Sequence, residues 1–138
     1  MKGEGYVGKI LVPVEEYFYV IFRVLVGWLF FMHGAGKVFG WFTERAAQSA
    51  GSLMWFVGLA EVAAGLLIFL GLWTRLGAIL GAVVMIVAYF KAHAPGGLNP
   101  LANGGELALL FLIAFLVVLV HGSGKFGLEH WMKRKECI

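Results

Sequence analysis

The sequence predicts an all-α protein, a four-transmembrane-helix antiparallel bundle with the N and C termini on the cytoplasmic side. Three observations carry that expectation. Of 138 residues, 61% are hydrophobic and only 14% charged, and mean hydropathy is +0.87, whereas an ordinary globular chain is about half apolar and a quarter charged. Four apolar stretches approach the roughly 20 residues a helix needs to cross a bilayer core. The prolines Pro13, Pro95 and Pro100 all lie outside those stretches, so no helical hydrogen bond is lost in hydrocarbon. A soluble domain of this length has too small a core for so much apolar surface. A disordered chain would have too little of it.

Taken in order, residues 1–16 form a mostly polar N-terminal cytoplasmic segment. Residues 17–121 form the membrane bundle, with spans at about 17–36, 53–72, 76–93 and 104–121. The first span is longer than a signal-peptide core and is interrupted by Arg23, so it reads as a permanent helix. Its loop, 37–52, carries Phe39, Trp41 and Phe42, aromatics suited to the membrane interface. Trp73, Thr74 and Arg75 make a very short second turn, and Pro95, Gly96, Gly97, Asn99 and Pro100 a turn-rich third one. Residues 122–138 are a basic cytoplasmic tail. The four spans carry no repeat of the inverted-transporter kind.

Orientation follows from the cations. Lys2, Lys9, Arg75, Lys125, Lys133, Arg134 and Lys135 fall on the side of the termini; Lys37, Arg45 and Lys91 fall on the other. The positive-inside rule therefore places the termini in the cytoplasm and the protein in the cell membrane. A pI near 9.2 has the same origin and does not mark a nucleic-acid groove, which would need its cations on one exposed face. The single cysteine, Cys137, excludes an internal disulfide, a Cys-x-x-Cys redox pair and a cysteine zinc site.

Charged groups inside the spans are costly, and they mark candidate sites. On the first helix, with about 100° per residue, Lys37 and His33 fall on one flank of Arg23, Gly27 and Gly34 on the other. That face is basic and permits close approach of another helix. Glu61 stands at the middle of the second span between Gly58 and Gly65. An Arg23–Glu61 ion pair is the expected arrangement, because it holds both charges in hydrocarbon. Its structural reading is a bridge that fixes helix register; its functional reading makes Glu61 a proton carrier or a headgroup ligand. Gly77 and Gly81 form a GxxxG packing face on the third helix.

The topology also gathers His33, Lys37, Lys91, His93, Asn103 and Glu106 at the outer ends of the helices. Such a cluster is either an ordinary wet rim with snorkelling lysines or a polar vestibule that binds a ligand. In the second case it suits a quinone headgroup, whose carbonyls accept hydrogen bonds while its tail stays in lipid. Haem or metal ligation by His33, His93 and Glu106 lacks a local spacing signature and is not expected.

These residues resemble the DoxX/DoxD family of membrane proteins. The resemblance rests on Arg23-x3-Gly27 with Phe31-Met32-His33-Gly34-Ala35-Gly36-Lys37, and on Glu61-Val62-Ala63-Ala64-Gly65 with Gly71-Leu72-Trp73-Thr74-Arg75. It extends through Lys91-Ala92-His93 and Asn103-Gly104-Gly105-Glu106-Leu107-Ala108-Leu109-Leu110, covering residues 17–129 or so. In the tail, Gly127 and Glu129 stand where the family tends to have serine and aspartate. The resemblance implies a four-helix integral membrane protein associated with redox enzymes; DoxD proteins are a subunit of an archaeal thiosulfate:quinone oxidoreductase.

The leading expectation is thus a quinone-interacting membrane subunit with no intrinsic cofactor. Any catalysis would need a cofactor-bearing redox partner, soluble or membrane-bound, because the chain shows no flavin, iron–sulfur or dithiol signal. The alternatives are a transporter of small solutes or protons and a non-catalytic assembly subunit. A homo-oligomer fits so thin a bundle, and no nucleic acid is expected.

Overall fold

The computed structural model describes residue 8 and residues 11–135, the side chains of 133–135 excepted. The cations Lys2 and Lys9 and the lone Cys137 lie outside the described residues, as do the side chains of Lys133, Arg134 and Lys135. Among the described residues the chain is entirely helical.

Helix α1, Glu15–Phe39, continues a single 3-10 turn at Val12–Val14 that Pro13 starts. It ends at Gly40, which takes the left-handed conformation (φ 71°) and donates back to the Gly36 carbonyl. Helix α2, Leu53–Leu70, begins where the Ser52 hydroxyl accepts from the Trp55 amide. It stops at Gly71 (φ 67°) in a Schellman closure, Leu72 donating to the Leu67 carbonyl, because glycine adopts αL without a Cβ clash. Helix α3, Thr74–Ala88, runs on as one turn of π-helix, Tyr89–His93, and one 3-10 turn, Ala94–Gly96. A four-residue helix α4, Pro100–Asn103, fills the third loop. Helix α5 spans Glu106–His121, and α6, Leu128–Lys135, turns the expected tail into an ordered helix.

Three helical stretches are long and apolar enough to cross a membrane: Val12–Phe39, Leu53–Leu70 and Thr74–Gly96. The fourth apolar helix, α5, has 16 residues and is shorter than that. Successive long helices run antiparallel, α1 against α2, α2 against α3, and α3 against α5. Between them lies one core, in which Phe30, Ala64, Ile68, Ala78, Phe115 and Val118 are all at most 1% exposed. Phe30 closes it by setting its ring edge-on to Phe115 at 4.7 Å. Outward-facing Leu, Ile and Phe are abundant, the composition of a lipid-facing surface.

The α1–α2 seam is built on small residues. A Cβ added to Gly65 would sit 2.5 Å from the Phe31 amide nitrogen, one on Gly27 2.5 Å from that of Phe69, and one on Gly34 2.6 Å from the Gly58 carbonyl. Backbones this close gain dispersion that lipid cannot replace. On α3, Gly77 packs on Leu67 and Ala64 of α2, and Gly81 admits the Phe115 ring of α5.

Candidate functional site

Helix register decides which charges meet. Gly27 lies against Gly65 and Phe69, Gly34 against Gly58 and Val62, and the Arg23 guanidinium against Gly71. Arg23 and Glu61 are therefore about eleven residues apart along α1, or roughly 16 Å of helix. The expected Arg23–Glu61 ion pair does not form, which corrects the sequence reading. Both groups are nonetheless buried, each 2% exposed.

Each has a different partner. Arg23 turns its Nη1 onto the carbonyls of Ile68 and Phe69, the latter at 2.9 Å. Those oxygens belong to the last turn of α2, where the dipole end is negative; the Ile68 carbonyl also accepts from the Gly71 amide at 3.2 Å. The guanidinium thus caps a helix. Glu61 instead accepts from the Lys37 ammonium through Oε1 at 2.5 Å, and Lys37 reaches the rim of the bundle with 31% of its side chain exposed. The second carboxylate oxygen, Oε2, is buried and has no partner. An acceptor in that state is expensive to leave unmet.

The Glu61–Lys37 pair lines a cavity of about 210 Å³ between α1, α2, α3 and α5, together with His33, His93, Phe30, Met85 and Phe111. The His33 ring stands edge-on to Phe111 at 5.7 Å. His93 arrives through the π-turn, whose extra residue rotates the end of α3 relative to an α-helix; such turns concentrate at functional sites. Its Nδ1 donates to the Asn103 carbonyl at 3.1 Å, so in the neutral tautomer Nε2 is the acceptor nitrogen. The cavity thus holds donors and acceptors inside apolar walls.

The remaining residues of the expected outer cluster have other places. Asn103 takes the Gly105 amide on Oδ1 at 2.7 Å and donates Nδ2 to the Gly97 carbonyl at 2.7 Å, so it braces the third loop. Lys91 and Glu106 are exposed and are not among the residues lining the two cavities at this end. His33 and Lys37 also border a second cavity, about 520 Å³, under the first loop beside Arg45, Thr43 and Met54. That loop is held by the Gln48 amide donating to the Lys37 carbonyl at 2.8 Å. Among the described residues no three His, Cys, Asp or Glu side chains gather as metal ligands would.

Sequence reasoning missed the Lys37–Glu61 partnership, yet a signal for it existed. Gly27 and Gly34 are seven residues apart, as are Gly58 and Gly65. Two antiparallel helices zip both pairs only in the register that brings Lys37 to Glu61. It also missed Tyr89, whose buried hydroxyl donates to the Leu98 carbonyl at 3.0 Å, and Thr74, fully buried with its hydroxyl unpartnered.

Comparison with known proteins agrees with this architecture. An uncharacterised protein of Haemophilus influenzae is 34% identical over 131 residues, covering 88% of this chain and 95% of the relative. A second from the same organism is 28% identical, covering 83% of each. A Bacillus subtilis protein named "Putative oxidoreductase CatD" is 28% identical over 80% of this chain and 83% of its own length. No solved structure matches. The DoxX family model matches residues 18–94, which carry the basic helix, Glu61 and the π-turn. With long apolar helices crossing back and forth and that match over more than half its length, the chain is a multi-pass membrane protein and belongs to the DoxX family.

Proposed function

We propose that this protein is a redox-linked membrane subunit that binds a quinone headgroup in the cavity walled by Glu61, Lys37, His33 and His93. In this reading α5 is the fourth span, the termini are cytoplasmic, and the cavity opens toward the outer leaflet of the cell membrane. The observation that carries it is the unpartnered Oε2 of Glu61, nearly sealed from solvent, on a residue that lines a cavity together with two imidazoles and aromatic walls. Such a pocket suits a planar, mostly apolar ligand with a few polar points.

Lys37 and His33 would donate to carbonyl oxygens, and Glu61 Oε2 and His93 Nε2 would accept from hydroxyls. The same four residues therefore suit both the oxidised and the reduced ligand. A quinone supplies two-electron chemistry when bound; this chain supplies binding, orientation and proton acceptors. The electrons come from a cofactor-bearing partner. The oxidoreductase name of the Bacillus subtilis relative supports this class.

A proton or solute conduit has less support. Below Glu61 the bundle is filled by Phe30, Ala64, Ile68 and Phe115, each at most 1% exposed, and a path for protons needs polar groups or water.

The test is thermal unfolding of the purified protein with a short-chain quinone analogue. Wild type is expected to melt several degrees higher with the analogue, and His93→Phe and Glu61→Gln to lose that shift. An unshifted wild type, or variants that shift as much as wild type, would sink the proposal. His93→Phe keeps the test valid if Glu61→Gln folds poorly.

A further inference from the structure

A cavity of about 870 Å³, larger than the two already described, lies at the opposite end of the bundle, and the redox reading does not use it. The start of α1, the α2–α3 turn and the segment after α5 meet there. Tyr19 ties them by donating to the Gly122 carbonyl at 2.5 Å and stacking on His121 at 4.8 Å. Lys125 pairs with Glu16 at 2.7 Å. Arg75 donates from Nε to the Leu119 carbonyl at 3.1 Å and from Nη2 to that of Val120 at 3.4 Å.

Unsatisfied groups of both signs remain. Arg75 Nη1 and the His130 imidazole have no hydrogen-bond partner among the described residues, and the amides of Ser123, Gly124 and Lys125 find no backbone carbonyl. Glu15, in the first turn of α1, has no ion-pair partner there either. A simple anion would meet the carboxylates in this cavity, and a simple cation would meet the arginine. A molecule carrying both charges meets neither penalty. Leu76 and Trp73, which are 55% and 64% exposed, also line the cavity and give it an apolar edge.

We infer that this cavity binds the zwitterionic headgroup of a phosphoethanolamine lipid. The phosphate faces Arg75 and the Gly122–Ser123–Gly124 turn, the ammonium faces Glu15, and the acyl chains leave past Leu76 and Trp73. Amides of a glycine-rich turn and a guanidinium are the usual phosphate donors. A primary ammonium donates hydrogen bonds to a carboxylate, which a choline cannot. Choline would instead need an open aromatic cage; the Tyr19 ring is already covered by His121, and Trp73 alone does not make a cage.

The experiment is native mass spectrometry of the full chain in neutral detergent. It uses phosphatidylethanolamine, phosphatidylcholine and phosphatidylglycerol of matched chains, with soluble phosphoethanolamine and inorganic phosphate as controls. The ethanolamine lipid is expected to bind at least about tenfold tighter than the other two, about 1.4 kcal/mol. Glu15→Lys, an exposed change at a helix start, is expected to reverse the order in favour of the glycerol lipid. Arg75→Gln should weaken all three. Equal or tighter binding of the glycerol lipid to wild type would overturn the inference. So would an unchanged order in Glu15→Lys, or soluble phosphoethanolamine binding as well as the lipid.

Discussion

Two charged groups sit equally deep in this bundle, and the structure treats them in opposite ways. At the terminal end Arg23 spends its hydrogen bonds on the carbonyls closing α2, and Gly71 packs against the guanidinium. At the far end Glu61 meets a flexible lysine from the rim and keeps one oxygen free beside a cavity. The first arrangement is closed and serves the helix end. The second is open and can exchange its partner. Burial alone does not separate a structural charge from a functional one, and neither does spare hydrogen-bonding capacity, since Arg23 Nε is also buried without a partner. What decides is whether space adjoins the spare group, and Arg23 lines none of the three cavities described.

Three measurements of unfolding in mixed micelles can break or sharpen that contrast. Lys37→Met should have the largest effect, about 3 kcal/mol, because it strands a buried carboxylate. Adding Glu61→Leu to it should recover most of the loss; a double variant no more stable than the single one would mean that the pair is not what holds Glu61. Arg23→Met comes next at about 1–2 kcal/mol, since two carbonyls lose their donor but neither carries a full charge. A loss as large as that of Lys37→Met would argue that Arg23 neutralises an acid. The smallest effect is the coupling between Arg23→Met and Glu61→Gln in a double-mutant cycle. It should stay within about 0.5 kcal/mol, as for sites with no shared contact. A coupling above about 1 kcal/mol would restore the ion pair that the geometry denies.

How far the sequence reached can be judged residue by residue. Hydropathy located the long helices because lipid forces every backbone group into helical bonds; the second span, read as far as residue 72, ends at Leu70 with Gly71 as its cap. The membrane-side cluster was legible in part: His33, Lys37 and His93 line one cavity, because helix ends at one depth must lie near each other. Lys91 and Glu106, grouped with them by depth, are exposed and stand outside the cavities described, since depth says nothing about which way a side chain turns. The π-turn at Tyr89–His93 has no reliable sequence mark, and it is what brings His93 to the cavity.

By itself the sequence determined that this chain is helical and membrane-embedded, and which residues carry charge into the apolar region, because those properties follow from composition and local periodicity. Only the tertiary structure decided that Glu61 answers to Lys37 and Arg23 to the end of α2. Pairing depends on the axial register of two packed helices, and that register is set by backbone contacts at Gly27, Gly34, Gly58 and Gly65, where a shift of a single turn would change every partner.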